Sequence, residues 1–376
     1  MSKFNTRNSI PQSGKTDLQQ KPMHAIKTGL EIAGGLIILF TLIPIIKHDY
    51  WTFRIFEYPR IQKLFLNLVI GILFIYLVPA YGLRYWAFVM LLSGNATYLF
   101  VKIFPFTFFA KNALLGTTKD DPDNRITIVS SNVFQHNRNA EGCMALLRKY
   151  DPDVILLLET DQFWYEGTKE LGSKYEHQVL VPLENTYGML LYSKLKLIDP
   201  QVRYLVDPEI PSIVTKVELK SGKQVNLHCV HPTPPVPGEN THSTERDKEL
   251  LLIAKEVKHQ AVPCIVVGDL NDVAWSYTTE LFTKISGMLD PRIGRGFYNT
   301  FHAKYPILRF PLDHIFCSTD FKLITLARLE NFNSDHFPIL ICLQYEASAS
   351  QQQEEPKADL EDIALAEEKI KKEVPD

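Results

Sequence analysis

The residues best placed to do chemistry lie where an apolar run ends in polar side chains. The run Cys264–Val267 is followed directly by Gly268, Asp269 and Asn271. On an extended backbone Asp269 and Asn271 share one face, because side chains alternate along a strand. A carboxylate beside a carboxamide can hold a water molecule or a metal-bound phosphate. A plain Gly-Asp-x-Asn strand exit without chemistry explains the same residues, so this segment alone does not identify a site.

Other apolar, strand-like runs also end at residue types suited to metal or phosphate chemistry. Taken singly, each residue has a simpler explanation, such as a solvated strand end for Glu159, a loop histidine for His231 or a turn cap for Asp335. Their recurrence at successive strand ends favours one shared polar site. The candidate residues are Asn132, Glu159, His231, Asp269, Asn271, Asp313, Asp335 and His336. His228 competes with His231, but His231 is preferred because it lies at the strand exit.

The elements that must position these residues follow an α/β pattern between residues 125 and 345. Helices are predicted at Ala140–Tyr150 and, from amphipathic spacing, at Thr244–His259. Strands and helices alternate early, while strands cluster later. This order predicts a pair of mixed sheets rather than a single doubly wound sheet. The predicted strands are Ile126–Ser130, Val154–Leu158, Tyr187–Tyr192, Ile213–Leu219, Gln224–Val230, Cys264–Val267, Leu312–Cys317 and Ile339–Leu343.

The N-terminal third contains three long apolar runs, at Gly29–Ile46, Leu64–Tyr81 and Trp86–Ala110. Each approaches the ~20 apolar residues that a bilayer-spanning helix needs. A signal peptide would explain only the first run, so residues 27–110 are predicted to be a membrane domain with three transmembrane helices, in preference to buried core helices. The polar residues 1–26 are predicted to be disordered. Aromatic and basic residues at His48–Lys63 predict a segment lying on the bilayer surface, although an ordinary loop explains them too.

Charge is distributed unevenly along the 376 residues, whose formal net charge is −3. Residues 1–120 carry 13 lysines and arginines against 5 acidic residues, whereas residues 121–345 carry 23 against 28. The positive-inside rule slightly favours a cytoplasmic N-terminus, which places everything after Ala110 outside the cytoplasm. Residues 111–124 are predicted to be a linker. The acidic tail, residues 346–376, is predicted to be disordered with a marginal helix at residues 359–372.

The five cysteines are scattered and contain no CxxC pair, so neither a zinc site nor a disulfide framework is indicated. The order of the polar motifs, in contrast, resembles the endonuclease/exonuclease/phosphatase superfamily with its deoxyribonuclease I-like fold. The prolines after His231 are similar to those of the bacterial membrane-tethered branch. The matching segments are Ser131-Asn132, Leu158-Glu159-Thr160, Gly188–Ser193, His231-Pro232, Gly268–Asn271, Leu312–Ile315 and Ser334–Pro338.

The resemblance implies an α/β fold, a four-layer sandwich of two mixed β-sheets flanked by helices, here preceded by the three transmembrane helices. It also implies Mg²⁺ (or Mn²⁺) held by Glu159, with Asn132 and Asp335 close by. Magnesium prefers few carboxylates and several waters, which suits a site with one clear carboxylate ligand.

The resemblance further implies roles for the remaining residues. Asp269 orients or deprotonates the attacking water, and Asn271 holds the phosphate. His336 contacts the phosphoryl group and is oriented by Asp313. His231 acts as an acid for the leaving oxygen or as a donor in the transition state.

Together these observations predict a membrane-anchored, metal-dependent hydrolase of a phosphodiester or phosphomonoester bond, located in a bacterial inner membrane. The substrate is a lipid headgroup or a nucleic acid; the acidic charge of the catalytic region argues against the latter, because nucleic-acid binding needs basic residues to neutralise phosphates. A membrane-tethered nuclease and a catalytically dead membrane scaffold are the alternatives. The catalytic region is expected to fold and act without residues 1–116.

Overall fold

The computed structural model describes residues 14–80 and 82–375, and the chain forms two compact units within them. One unit contains the N-terminal helix up to Ile46 and the segment Arg60–Val101. The other contains Lys47–Pro59 and all residues from Lys102 onward. Of the predicted N-terminal tail, residues 1–13 lie outside the described residues, and the rest belongs to the first helix.

The helices include three long ones near the N-terminus and six in the larger unit. They are α1 (Gly14–Leu42), α2 (Trp51–Arg54), α3 (Arg60–Leu77), α4 (Gly82–Ile103), α5 (Ala140–Tyr150), α6 (Gln162–Thr168), α7 (Thr244–Lys258), α8 (Tyr277–Ser286) and α9 (Leu360–Lys371). Short 3-10 turns lie at Ile43–Ile46, Ile55–Glu57, Phe104–Phe106, Pro122–Asn124, Lys169–Ser173 and Ala349–Gln351.

The smaller unit consists of a helical hairpin, formed by α3 and α4, together with α1. Among the described residues, three stretches are long and apolar enough to cross a membrane, namely Met23–Ile46, Arg60–Leu77 and Gly82–Phe106. The polar side chains of Asn67 and Asn95 are buried and joined by a 2.9 Å hydrogen bond between α3 and α4. Large apolar side chains such as Phe65 and Ile72 are exposed instead. This inversion of the usual burial pattern is typical of helices that face lipid.

The larger unit is built on two mixed sheets. The six-stranded sheet has the order β10-β11-β1-β2-β4-β3, and the five-stranded sheet has the order β5-β6-β7-β8-β9. Within each sheet one neighbouring pair is parallel, β1 with β2 and β7 with β8, and the other pairs are antiparallel. The strands are β1 (Arg125–Asn132), β2 (Val154–Leu158), β3 (His177–Val181), β4 (Met189–Ser193), β5 (Lys196–Arg203), β6 (Ser212–Glu218), β7 (Gln224–Val230), β8 (Cys264–Asp269), β9 (Asp313–Cys317), β10 (Phe321–Arg328) and β11 (Ile339–Tyr345).

Alternation along the buried strands produces the four predicted layers. In β2, Leu156 and Leu158 point into the core shared by the two sheets, whereas Ile155 and Leu157 pack against α5 and α6. The outer face of the five-stranded sheet packs in the same way against α7 and α8, through residues such as Val266. Strands covered on both faces read as continuous apolar runs. The two-sheet sandwich predicted from the sequence is therefore confirmed.

The segment Lys47–Pro59 differs from the prediction that it lies on the bilayer surface, because it belongs to the larger unit. The Trp51 amide donates to the Thr241 carbonyl at 2.9 Å, and the Trp275 indole donates to the Glu57 carbonyl at 2.9 Å. Its side chains contact the larger unit too, since Arg54 lies 3.1 Å from Asp272 and the Tyr58 hydroxyl donates to the Asn271 carbonyl at 2.7 Å. Part of the predicted linker is also packed, since Leu114 is fully buried in the core between the sheets.

The C-terminal tail also differs from the prediction of disorder. The helix α9 packs against α7 and α8, with Ala366 fully buried. Lys369 reaches inward, where its ammonium lies 2.6 Å from Asp49 and 2.8 Å from Asp247. The marginal helix predicted at residues 359–372 is therefore present, but its packing was not predicted, because only one narrow stripe of α9 is buried in a segment rich in Glu and Lys.

Six buried charged side chains form a connected group, which we call the ion cluster. Its side chains come from the Lys47–Pro59 segment, from α7, from the loop after β8 and from α9. The guanidinium groups of Arg54 and Arg246 each lie 3.1 Å from the same oxygen of Asp272. The members of the ion cluster are Asp49, Arg54, Arg246, Asp247, Asp272 and Lys369. Two further charges adjoin the cluster, since the buried Glu57 lies 2.9 Å from Arg54 and the half-exposed Lys372 lies 2.6 Å from Asp49. With these two included, four cations balance four carboxylates.

Candidate active site

Strand direction explains why the candidate residues converge. In each sheet two neighbouring strands are parallel, β1 with β2 and β7 with β8, so their carboxyl ends lie side by side. The polar residues that follow these strands therefore lie together, along what we call one edge of the sheet. The strands β9 and β11 run in the opposite direction and begin at that same edge. The two edges face each other, because the Asn132 amide at the end of β1 donates to Asp269 at the end of β8 at 3.1 Å.

Five of the eight candidate residues form one continuous line of polar contacts. The Asn132 amide also donates to Glu159 Oε1 at 2.7 Å. His336 Nε2 lies 3.5 Å from Asp269 Oδ2, and His336 Nδ1 lies 2.8 Å from Asp313 Oδ2. The order along this line is Glu159, Asn132, Asp269, His336 and Asp313. It connects both sheets across the edge where a substrate can approach.

The loop after β8 is held in a fixed, unusual conformation. Asn271 has a left-handed φ of 50°, and its amide nitrogen donates to Asp269 Oδ1 at 2.9 Å. Its carbonyl accepts two hydrogen bonds of 2.7 Å, from the Tyr58 hydroxyl and from Arg246. A side chain at Gly268 would place its Cβ 1.8 Å from the Val230 carbonyl, so glycine is required there. Tyr58 thereby braces the loop that carries Asp269 and Asn271.

Of the two competing histidines, His231 lies at the site and His228 does not, as expected from the position of His231 at the strand exit. Its ring packs on Tyr187 with centroids 5.2 Å apart, and its Nδ1 has no hydrogen-bond partner among the described residues. Burial lowers the pKa of His231 to about 4, so the ring is neutral at pH 7. His228 instead lies beside Arg203, 3.5 Å from its guanidinium, on another face of the sheet.

The second histidine of the site has the opposite charge state. Burial alone lowers the pKa of His336, but the carboxylates of Asp313 and Asp269 outweigh burial and raise this pKa to about 10. Burial also raises the pKa of Asp269, with the charge on His336 opposing it. The site therefore holds a fixed imidazolium beside a carboxylate of increased basicity.

The donor set at this edge fits a hard divalent cation. Burial raises the pKa of Glu159 to about 7; the hydrogen bond from Asn132 opposes this rise, and the nearby Asp335 carboxylate adds to it. Oδ1 of Asp335 is buried without a partner among the described residues. The negative charges of Glu159 and Asp335 repel each other, and one oxygen of Asp335 has no hydrogen-bond partner among the described residues. A bound cation would reduce this repulsion. Oxygen donors of this kind suit Mg²⁺.

A second group of potential ligand atoms is present nearby. Atoms of Asp269, Asp313 and His336 lie within 4.8 Å of one another. These three side chains already pair among themselves, with His336 donating to Asp313 at 2.8 Å. This geometry suits orientation of the imidazole better than coordination of a metal.

A cavity of about 660 Å³ opens onto these residues. Its polar side contains Glu159, His231, Asn271, Asp335 and His336. The structure thus brings all eight candidate residues to one edge, five in the polar line and the others around the cavity.

Several residues that shape the site escaped the sequence analysis. Tyr58 and Arg246 hold the Asn271 carbonyl, and Phe301 packs on His336 with ring centroids 4.9 Å apart. Ser334 accepts from the His336 amide at 3.0 Å and donates to the Asn132 carbonyl at 2.8 Å. Only Ser334 had a sequence signal, since it belongs to the Ser-Asp-His motif.

Comparison with solved structures finds chains of similar architecture. D. rerio TDP2 complexed with single strand DNA product is 18% identical over 59% of this chain and 100% of its own, with a TM-score of 0.49. The endonuclease/exonuclease/phosphatase from Bacteroides vulgatus is 18% identical over 59% and 99%, with a TM-score of 0.48. The human Nocturnin catalytic domain with bound sulfate is 19% identical over 64% and 99%, also with a TM-score of 0.48.

No curated protein matches the sequence significantly. A family model, in contrast, matches residues 129–336, which is more than half of the chain and contains every candidate residue. Members of this family hydrolyse phosphoester bonds. The chain therefore belongs to the Endonuclease/Exonuclease/phosphatase family.

Proposed function

We propose that this protein is a membrane-anchored, metal-dependent phosphoesterase that hydrolyses a phosphodiester or phosphomonoester bond with water. The observation that carries the proposal is the polar line from Glu159 to Asp313, in which a cationic His336 lies between Asp269 and Asp313. A positive group fixed beside a basic carboxylate stabilises the charge that develops during attack at phosphorus.

The carboxylates Glu159 and Asp335 would hold Mg²⁺ or Mn²⁺, with Asn132 orienting Glu159. When bound, the ion supplies Lewis-acid stabilisation of charge on the phosphoryl oxygens. Asp269 accepts a proton from the attacking water, and its raised pKa brings its basicity closer to neutral pH.

The remaining residues bind and orient the substrate. Asp313 holds His336 in the rotamer that presents Nε2 to the phosphoryl group. One N–H of the Asn271 amide donates to the Pro232 carbonyl at 3.0 Å, which leaves the other for a phosphate oxygen. A neutral His231 is suited to donate a hydrogen bond to the leaving oxygen rather than a full proton, because its pKa lies well below neutral pH.

The anchor in this proposal consists of three spans. Two of these spans separate Lys47–Pro59, which follows the first span, from the residues that follow the third, so both stretches lie on the same side of the membrane, in agreement with their place in one compact unit. The positive-inside rule slightly favours a position of that side outside the cytoplasm of a bacterial cell. Labelling of single cysteines at Ser221 and at Ser2 with an impermeant maleimide in intact cells tests this orientation.

The first test is hydrolysis of bis(p-nitrophenyl) phosphate by the full chain in detergent, with Mg²⁺, Mn²⁺ or EDTA. We expect metal-dependent turnover. Glu159→Gln and His336→Ala should each reduce kcat/KM by about 10³-fold, because each removes a charge used in the transition state. Glu170→Gln is the matched control, since Glu170 forms only an exposed ion pair with Arg148.

Two other outcomes would contradict the proposal. Turnover unchanged in both site variants would refute the assigned site. Absence of turnover with any divalent metal would support the dead scaffold. Faster cleavage of oligonucleotides than of small diesters would instead identify the tethered nuclease.

A further inference from the structure

The strand ends that carry the candidate residues are called the catalytic edge here. The cavity beside this edge is lined by apolar residues as well as by polar ones. Among the apolar residues are Trp51, Ile55, Phe134, Val236 and Phe310, together with prolines of the run after His231. The aliphatic residues at its mouth are exposed, Ile55 by 48% and Leu308 by 52% of their surface. An apolar cavity beside a few convergent polar groups is the usual form of a ligand site.

The cavity offers little to a polynucleotide. Among the described lining residues, Arg54 is the one lysine or arginine. Its guanidinium is already paired with Glu57 at 2.9 Å and with Asp272 at 3.1 Å, and its side chain is 2% exposed. Strong binding of a nucleic-acid strand requires several free cations along its phosphates. The charge pattern therefore favours a substrate with a single phosphate group next to an apolar group.

Chain connectivity points to the source of such a substrate. The lining residues Trp51 and Ile55 belong to the short segment Lys47–Pro59, which follows the apolar stretch ending at Ile46 and leads into α3 at Arg60. The segment that contains these two residues is therefore connected at both ends to stretches that are apolar enough to cross a membrane. The apolar groups available there are the chains of lipids.

We propose that the cavity receives the apolar part of an amphiphilic phosphodiester, so that the substrate is a lipid of the bilayer in which the protein is anchored. This inference rests on the proposed phosphoesterase function. In the reaction, the oxygen of water forms a bond to phosphorus and the P–O bond to one alcohol breaks. One proton of the water passes to the departing alkoxide, giving a phosphomonoester and an alcohol.

The test uses two probes with the same charge and leaving group, methyl p-nitrophenyl phosphate and octyl p-nitrophenyl phosphate. With the full chain in detergent, we expect kcat/KM for the octyl diester to exceed that for the methyl diester at least ~10-fold, because seven more methylenes leave water. Ile55→Ser should reduce this ratio by about threefold or more. Ile363→Ser, an equally exposed isoleucine on α9, should leave both rates unchanged and controls for detergent effects.

The two proposals fail in distinguishable ways. Loss of metal-dependent hydrolysis of both probes would refute the phosphoesterase itself. Equal kcat/KM for the two probes in an active enzyme would refute only the apolar site. A single-stranded oligonucleotide that is cleaved faster than the octyl diester, with no effect of Ile55→Ser, would overturn the lipid assignment in favour of a nucleic acid.

Discussion

Two polar regions adjoin the loop after β8, and they differ in how their buried charged groups are paired. On one side Asp269 belongs to the catalytic edge, where Asp313, Asp335 and His231 each retain a polar atom with no partner among the described residues. On the other side Asp272 belongs to the ion cluster, where both Arg54 and Arg246 lie 3.1 Å from its carboxylate. His231 and Asp335 line the cavity, so their unpartnered atoms are available to a substrate. The charges of the ion cluster are paired, although Arg54 Nε lacks a partner among the described residues, and they serve to hold elements together.

This comparison predicts that the two regions can be separated by mutation, although they are three residues apart in the chain. Changes in the ion cluster should affect stability, and changes at the catalytic edge should affect turnover. The contacts of the Lys47–Pro59 segment touch both regions, so its removal should have the largest effect.

A fragment that begins at Thr117 should lose activity, contrary to the expectation from sequence. It lacks Tyr58, which braces Asn271, and Arg54, which balances Asp272. We expect kcat/KM for bis(p-nitrophenyl) phosphate to fall by more than ~100-fold. A full chain with Lys47–Pro59 replaced by thirteen Gly and Ser residues separates loss of this segment from loss of the anchor. Full activity in either protein would show that the segment is dispensable.

Lys369→Met should destabilise the larger unit without impairing its chemistry. The burial of Asp247 alone would raise its pKa, but Lys369 and the neighbouring arginines lower it well below its usual range. Removing one partner of a buried ion pair typically costs about 3–5 kcal/mol. Denaturant unfolding measures this loss, and kcat below the transition should stay within twofold of wild type.

The control for that variant is Lys371→Met on the same helix, since the Lys371 side chain is 78% exposed. Unfolding should be nearly unchanged there. Equal destabilisation by both substitutions would mean that α9 contributes through its helix alone and not through the ion cluster.

Glu249 provides an intermediate case, a buried carboxylate with an unpartnered oxygen away from the cavity. Burial raises its pKa to about 8, while Arg203 opposes the rise. The folded state keeps its proton while the unfolded state releases it, so stability falls as pH rises from about 4.5 to 8. Glu249→Gln should remove this contribution and stabilise the protein by about 1–3 kcal/mol at pH 8.

The same variant should gain almost nothing at pH 3.5, where both states of Glu249 are largely protonated. Thermal unfolding at the two pH values checks the sign, with Glu170→Gln, at an exposed ion pair, as the control. A gain that is independent of pH would show that Glu249 is not protonated in the folded protein.

Tyr58→Phe should have the smallest effect and the most selective one. The Asn271 carbonyl keeps its 2.7 Å bond from Arg246 but loses the one from the Tyr58 hydroxyl. A single neutral hydrogen bond contributes about 0.5–1.5 kcal/mol. We expect the free energy of unfolding to fall by no more than this amount and kcat to fall about 3–10-fold. A fall in stability with unchanged kcat would refute the bracing role.

The sequence predicted best those elements whose burial is continuous. The helix Ala140–Tyr150 and the strands Val154–Leu158 and Gln224–Val230 have their predicted bounds. Val154–Leu158 is an uninterrupted apolar run, as expected for a strand covered on both faces, whereas Gln224–Val230 is buried although Asn226 and His228 interrupt its apolar residues. The edge strands β3, β5 and β10 were missed. In β5 the sequence contains Asp199 and Pro200, which only an edge strand with a register shift accommodates.

The candidate site could be predicted where its residues directly adjoin strands, as Glu159 adjoins β2. Tyr58 and Arg54 could not be predicted, because their partners lie 213 and 218 residues further along the chain. Their aromatic and basic character is also the signature of a bilayer interface. Composition cannot distinguish contact with headgroups from contact with a folded domain.

The position of Lys369 in the ion cluster also sets an order of events during synthesis. Asp49 is translated 320 residues before the lysine that neutralises it. The apolar stretches up to Phe106 are likewise complete long before α9 exists. In the membrane-anchored protein proposed above, these stretches are available for insertion before the cluster can close, so attachment to the membrane would precede full assembly of the larger unit.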